Sequence, residues 1–427
     1  MKYYGKFLGL TLAGPLVGLA LVATPFAAAS AAEEDGKQRP TKRGDLVESY
    51  DADGVPFNGF KIFPKLVIEE AFNSNIFKDS ADEVDDFVTE ISPSVNVNSD
   101  WTRHMLSFYA GGDFGIYADS SDDDYVDYNV GAEGRFDASR ALTLQGGVRH
   151  EMLHEERGGD DVGVDAAEPV EYDKTSFAGD VKYQPNRASF TVGGSVDLYD
   201  YEDNPVLGSV DANNDDRDRT KLEGFVRFGY EVQEGYEAFI VGSVNDIDYD
   251  DNVDDAGQNR DSDGYEIQAG VAVDLSRLIR ANASVGYLDQ TFSDPTLSDA
   301  NGVAADLDLI WAVTPLINVR ATAGRSVEET TTANVSSTLV SRIGFGADYQ
   351  FRRNIELVAD FTASNTEYQG DPDNRDDDKI GIIGSVNWKI NKYLFSRASY
   401  QFETRDSNIS TEDYDLHVAM VNLGLQF

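Results

Sequence analysis

The 427-residue sequence has no cysteine, only 4 histidines and 12 prolines, and far fewer bases than acids, 35 Lys and Arg against 77 Asp and Glu. Each shortage excludes something. A chain without cysteine cannot rely on disulfides, which is compatible with export. A formal net charge of −42 would repel a polyanion, so nucleic acid is excluded as a partner. The only histidines are His104, His150, His154 and His417, and no serine is marked by its spacing as their partner in a nucleophile–base pair. Beyond the first thirty-odd residues no apolar run reaches the ~20 residues of a spanning helix. The mean hydropathy of −0.40 agrees. Neither observation excludes a membrane barrel, whose strands alternate lipid-facing and water-facing residues and so average out.

The N-terminus reads as a signal peptide over 1–32. Lys2 and Lys6 precede an apolar run from Phe7 to about Phe26, and Ala27-Ala28-Ala29-Ser30-Ala31-Ala32 offers small residues for cleavage. Residues 33–58 are polar, mixed in charge and aperiodic, and read as a flexible periplasmic tail. From 59 to 427 one pattern repeats. Segments of roughly ten residues alternate apolar and polar at the strand period, as in Ser189–Leu198, where Phe190, Val192, Val196 and Leu198 oppose Ser189, Thr191, Ser195 and Asp197. Short connections such as Ala138-Ser139-Arg140, Gln233-Glu234-Gly235 and Asn391-Lys392-Tyr393 alternate with long acidic ones, Glu155 to Lys174, Glu202 to Thr220, Asp250 to Asp263 and Gln369 to Asp378. That asymmetry predicts a transmembrane antiparallel up-and-down β-barrel of about 18 strands, with short periplasmic turns and long acidic extracellular loops.

Aromatic residues cluster where strands end. Tyr117, Tyr128, Tyr199, Tyr249 and Tyr368 lie beside long loops; Phe136, Tyr183, Tyr230, Trp311, Tyr349 and Trp388 lie beside short turns. The spacing predicts two lipid-interface girdles. The chain stops on an aromatic, and Leu423, Leu425 and Phe427 share the outward face with Val421, which reads as a signal for the barrel assembly machinery.

Strand parity points Arg135, Arg149, Lys182, Arg227, Arg280, Arg320, Arg342 and Arg397 into the lumen, together with Glu133, Asp180, Glu223, Asp308, Asp348 and Asp360. A charge facing lipid near the midplane costs roughly 2–4 kcal/mol, so the fold itself requires this placement. Charges of both signs suit a wet channel for polar solutes. Around 18 strands leave room for water unless loops fold inward.

Two motifs invite metal readings. His150, Glu151 and His154 fit H-E-x-x-H, which binds zinc only on a helix. On a strand, residues four apart stand about 13 Å apart, so the two histidines cannot share an ion. The expectation is that His150 sits at the lipid interface and Glu151 in the lumen. Asp250-Asp251-Asn252-Val253-Asp254-Asp255 begins like a calcium loop, but Asp255 stands where glycine is needed and Asp261 where the bidentate glutamate belongs. No metal, cofactor or catalytic residue is assigned, and the chain is read as no enzyme.

The start of the barrel, DGVPFNGFKIFPKLVIEEAFNSNIF, Asp53 to Phe77, has a glycine-containing lead-in, then Phe60-x-Ile62-x-Pro64, then Asn75-Ile76-Phe77. It resembles the outer-membrane family named "putative β-barrel porin, type two". The resemblance implies a porin-like passage for hydrophilic solutes, in the setting of exopolysaccharide or capsule export, with a periplasmic export protein as a possible partner and outer-membrane lipid and lipopolysaccharide around it. It implies a Gram-negative outer membrane and carries no catalytic residue. The alternative is a non-conducting structural or surface-interaction barrel, sealed by paired charges and infolded loops.

Overall fold

The computed structural model describes residues 50–159, 162, 166–206, 212–275, 278–330, 332 and 334–427. The signal-peptide reading and most of the tail lie outside these residues, as do Ser276 and Arg277 of one short turn. The strands are β1 (Val55–Phe57), β2 (Phe60–Asn73), β3 (Asp86–Ser99), β4 (Met105–Tyr117), β5 (Tyr125–Asp137), β6 (Leu142–Glu155), β7 (Val170–Tyr183), β8 (Ala188–Tyr201), β9 (Arg219–Gln233) and β10 (Tyr236–Tyr249). They continue with β11 (Ser262–Leu275), β12 (Ile279–Phe292), β13 (Ala300–Thr314), β14 (Ile317–Glu328), β15 (Ser337–Arg352), β16 (Ile355–Gln369), β17 (Asp376–Lys389), β18 (Leu394–Ser407) and β19 (Tyr414–Gln426). Among the described residues there is no α-helix.

Every consecutive pair from β2 to β19 is antiparallel, and β19 closes on β2 from Val418↔Asn73 to Gln426↔Lys65. Of the 19 strands in the sheet, β1 pairs only with β2, which leaves a closed barrel of 18. Closure gives each strand two neighbours, the condition for putting a sheet in hydrocarbon. The strands are longer than the expected ten residues, from 12 in β14 to 16 in β15. They therefore rise past the bilayer before the loops begin.

Alternation explains why these residues form this wall. On β9, Leu222, Val226, Phe228, Tyr230 and Val232 are 42–61% exposed on the outside, while Lys221, Glu223, Phe225 and Arg227 turn inward between them. The same band encircles the barrel. In water so large an apolar surface would drive aggregation; in lipid it is the contact surface. Val421, Leu423, Leu425 and Phe427 belong to it, each 43–59% exposed.

At the N-terminal edge, β1 turns back onto β2 through Asn58-Gly59, both at positive φ (48° and 85°). An Asn-Gly pair is the preferred two-residue hairpin turn because both positions tolerate the left-handed region. This short strand occupies the end of the stretch expected to be a tail. Asp51 and Asp53 tie it to Lys389 and Lys392 beside the β17–β18 turn.

Candidate functional site: the lumen and its infolded hairpin

The inward charges read from parity fall where the strand registers put them. Arg320 spans Asp348 (3.1 Å) and Asp360 (2.8 Å) on the next two strands. Arg227 meets Glu237 at 2.7 Å, and Arg342 pairs with Glu328. Arg149 donates to the Tyr109 hydroxyl (2.6 Å) and lies 3.6 Å from Glu151. Arg135 is 3.5 Å from Asp137, and Glu133 is two residues before it on the same face. Asp180 and Lys182 line β7 and Glu223 lines β9, while Arg280 stands across from Asp274 on β11. Asp308 faces Thr322 on β14, and the Arg397 amide donates to Asn422 Oδ1. These residues are distributed around the wall and form no single cluster. One inward patch is apolar: Ala71, Leu416, Val418 and Met420 are buried and pack with Ile383.

HEMLH lies within β6, and its two histidines part company. His150 reaches the Thr175 hydroxyl (2.9 Å) and the ring of Tyr128, on the outer face. His154, on the same parity as His150, bonds Asp127 (2.8 Å) and stacks on Tyr125 at 4.0 Å, inward residues of β5, because the β5–β6 ladder has stopped at Tyr128↔Met152. The calcium-like loop is closed by its own side chains, since Asp254 holds Arg260 at 2.7 Å.

The extracellular girdle is a correction. At the short-turn end Phe136, Tyr183, Tyr230, Trp311, Tyr349 and Trp388 all face outward, 40–55% exposed. At the loop end only Tyr128 of the five tyrosines does so. Tyr117, Tyr199, Tyr249 and Tyr368 fall on inward positions of β4, β8, β10 and β16. Arg219 lies over the rings of both Tyr199 and Tyr249, and Arg375 over that of Tyr368. Nearness to a strand end sets height in the membrane; parity sets the face, and the parity of these four is that of their polar neighbours.

The largest departure from a simple barrel is at β13–β14. Their ladder stops at Asp306↔Gly324, although β14 stays paired with β15 up to Glu328↔Thr338 and β15 with β16 up to Ser337↔Gln369. The upper part of β13 remains on β12, as far as Ala300↔Gln290. The freed β14–β15 tip folds into the barrel. Leu339, on the same parity as lipid-facing Ile343 and Phe345, packs with Val327 against Leu288 and Ala304, which are inward residues of β12 and β13. The outer face of the tip thus lies on the inner face of the wall.

Polar contacts fix the tip of this hairpin. Glu329 pairs with Lys221 on β9 at 3.2 Å. Burial would raise the pKa of Glu329, but Lys221 and then Arg219 outweigh it and hold the carboxyl at about 2. Arg260 donates to the carbonyls of Thr330 (2.8 Å) and Val335 (3.0 Å), which are buried and need donors. Ser336 Oγ donates to Ser298 O at 2.6 Å. Eighteen strands leave open space unless a loop folds inward, and here the β14–β15 connection does so. A signal was present: Glu329 to Ser336 is the one long connection without aspartate.

Beside the tip is a cavity of ≈ 390 Å³ lined by Tyr199, Tyr201, Arg217, Arg219, Tyr249 and Glu329, among others. Tyr172 and Tyr201 stack at 4.8 Å. Arg217 lies 4.0 Å over Tyr201 and takes both oxygens of Glu155 at 2.8 Å. Arg219 lies 4.3 Å from the Tyr199 ring centre and donates to Arg217 O. At the rim, the Tyr201 amide donates to Asp218 (2.6 Å). Burial, with Asp200, Asp215 and Asp250 adding repulsion, raises the Asp218 pKa to about 6 against that bond.

A closed 18-strand barrel with an apolar outer band and a charged interior defines an outer-membrane β-barrel of the porin kind. Residues 48–427 match the family "Putative beta-barrel porin 2", and the chain belongs to it. No curated protein matches the sequence. Solved structures that are similar include a BenF-like porin from Pseudomonas fluorescens Pf-5, at 8% identity and TM-score 0.43, covering 86% of this chain and 99% of that one. OccK2 (OpdF) of Pseudomonas aeruginosa is 9% identical with TM-score 0.45, over 86% of this chain and 98% of its own. The ferric enterobactin receptor PfeA of Pseudomonas aeruginosa, as its G324V mutant, is 7% identical with TM-score 0.44, over 88% and 81%. Likeness at this level says nothing about solute.

Proposed function

We propose that the barrel gives small hydrophilic solutes a restricted passage across the outer membrane of a Gram-negative bacterium, in the setting of exopolysaccharide or capsule export. The carrying observation is a lumen lined by paired charges of both signs and narrowed by the docked β14–β15 tip. Hydrated charges let polar solutes pass without a large desolvation cost. The process involves no bond chemistry. Lipid and lipopolysaccharide surround the apolar band, the assembly machinery reads the C-terminal strand, and a periplasmic export protein meets the short-turn end. The export setting rests on the family resemblance and is tested by polysaccharide secretion in a strain lacking the protein, where unchanged secretion counts against it.

The docked tip, together with the buried apolar patch around Leu416 and Val418, also favours a second reading, a sealed structural barrel. Planar-bilayer recordings separate the two. Passage requires openings from the purified wild type, larger when the tip is removed. Openings only after removal of the tip establish the sealed barrel, and none in either protein sinks the porin reading.

A further inference from the structure

We propose that the cavity around Tyr199 and Arg219 is a binding site for a small hydroxylated carboxylate of the hexuronate class. This deepens the passage proposed above by naming a solute class, and takes its saccharide context from that reading. The argument starts from a charge imbalance. With 77 acids to 35 bases, a lumenal cation in this chain finds a carboxylate easily. Around the cavity Arg217 has Glu155, Lys221 has Glu329 and Arg260 has Asp254. Two other cations around the cavity have none. Among the described residues, Arg219 and Lys174 have no carboxylate at ion-pair distance, and both lie against the Tyr199 ring, at 4.3 and 4.9 Å. Arg219 Nε is buried and has no hydrogen-bond partner. An unpaired buried donor on a cation is costly, and an anion that takes it up removes the cost.

The rest of the cavity is suited to hydroxyl groups. Asn213, Asp216 and the tyrosines line it with donors and acceptors. Its ≈ 390 Å³ is at the small end of the ~300–1,000 Å³ typical of ligand pockets, so a monosaccharide fits and a polymer does not. Carboxylates of the loops also line the cavity, but Asp254 is taken up by Arg260, Asp255 accepts from Asn213 Nδ2 and Asp216 from the Asp255 amide, while salt screens the charges farther out than about 8 Å.

Glu329 gives the proposal an outcome of unusual sign. Its carboxylate shares the floor of the cavity and binds Lys221. A carboxylated ligand competes with it, so Glu329→Gln tightens binding although it removes a native contact. The test is calorimetry on the full barrel in detergent, with galacturonate as probe and galactose and sulfate as controls. Expected are measurable galacturonate binding, at least tenfold weaker galactose and sulfate, at least tenfold loss in Arg219→Gln, and a several-fold gain in Glu329→Gln. Lys174→Gln, expected to weaken binding several-fold, replaces Arg219→Gln if that variant does not fold. No galacturonate binding, galactose binding equally well, sulfate binding equally well (a simple anion site only), or no change in Arg219→Gln or its substitute overturns the proposal. Calorimetry does not depend on conductance. Binding without channel openings removes the passage and leaves the site; openings without binding do the reverse.

Discussion

The two ends of this barrel are built from the same alternating strands and behave differently. At the short-turn end the aromatic residues face lipid, as Tyr230 and Trp388 do, and the connections are a few residues long. At the loop end tyrosines turn inward and receive arginines on their faces, loops touch one another, and one hairpin leaves the wall. The short-turn end is set by local rules: strand period, turn residues and an interface that favours amphipathic rings. The loop end is set by what many non-local segments do together. Glu329 and Lys221 are 108 residues apart in sequence, and Arg260 and Val335 are 75 apart.

If the loop end alone controls passage, changing it should affect conductance and spare the wall. Replacing Thr330–Ser336 by a short glycine linker is expected to raise single-channel conductance several-fold with unchanged heat-modified mobility. Conductance equal to the wild type would place the constriction elsewhere. The native absence of cysteine permits a sharper version. Leu288→Cys with Leu339→Cys should cross-link on oxidation, lock the tip down and abolish large openings, and a reductant should restore them. Against this, the wall should respond in stability. Val226 faces lipid mid-strand on β9, next to inward Arg227, and Val226→Arg should cost about 2–4 kcal/mol in unfolding from liposomes. A loss under 1 kcal/mol would mean that this face is not in hydrocarbon.

The difference also shows where sequence reasoning holds. Period and parity suffice for the wall: the strand count and the alternation of its two faces are properties of i and i+2 neighbours. The same reasoning sets H-E-x-x-H aside as a zinc motif, because on a strand His150 and His154 stand about 13 Å apart along the chain. Parity applies to Tyr199 too, since Asp197 and Ser195 share its face, and nearness to a strand end carries no information about which face that is. The docked tip was hidden otherwise. Leu339 carries a lipid-facing parity, and only the loss of pairing beyond Gly324 brings it onto Leu288. Nothing local in sequence announces where a ladder will part. The missing aspartates of the Glu329–Ser336 loop were the nearest clue.

Within the loop end, Glu329→Gln should loosen the tip by about 1–3 kcal/mol, the cost of leaving Lys221 without its charged partner in a largely desolvated site, read as more frequent openings. The pH dependence follows from the depressed pKa of Glu329. A carboxyl at about 2 when docked, against 4.5 when free, adds docking stability that is complete above pH 4.5 and is lost as pH falls towards 2. Wild-type openings should therefore increase across that interval, and those of Glu329→Gln should not.

The smallest expected effect has the opposite sign. Asp218 has its pKa raised to about 6 from 3.8, so its contribution favours the folded mouth below pH 3.8 and is lost as pH rises through 6. At pH 7 its ionised form is held beside Asp200, Asp215 and Asp250 with one backbone donor from Tyr201 to set against them. The site is partly open to water, and screening reduces the effect to about 1 kcal/mol. Asp218→Asn keeps an acceptor for the Tyr201 amide and removes the charge, so it should stabilise the loop end at pH 7 and do nothing at pH 4. Limited proteolysis of the Glu202–Asp218 loop is the measurement: slower cleavage of the variant at pH 7 and equal rates at pH 4. Equal rates at both pH values would show that the acidic crown is relaxed by solvent, and that the loop end, unlike the hairpin beneath it, stores no electrostatic strain.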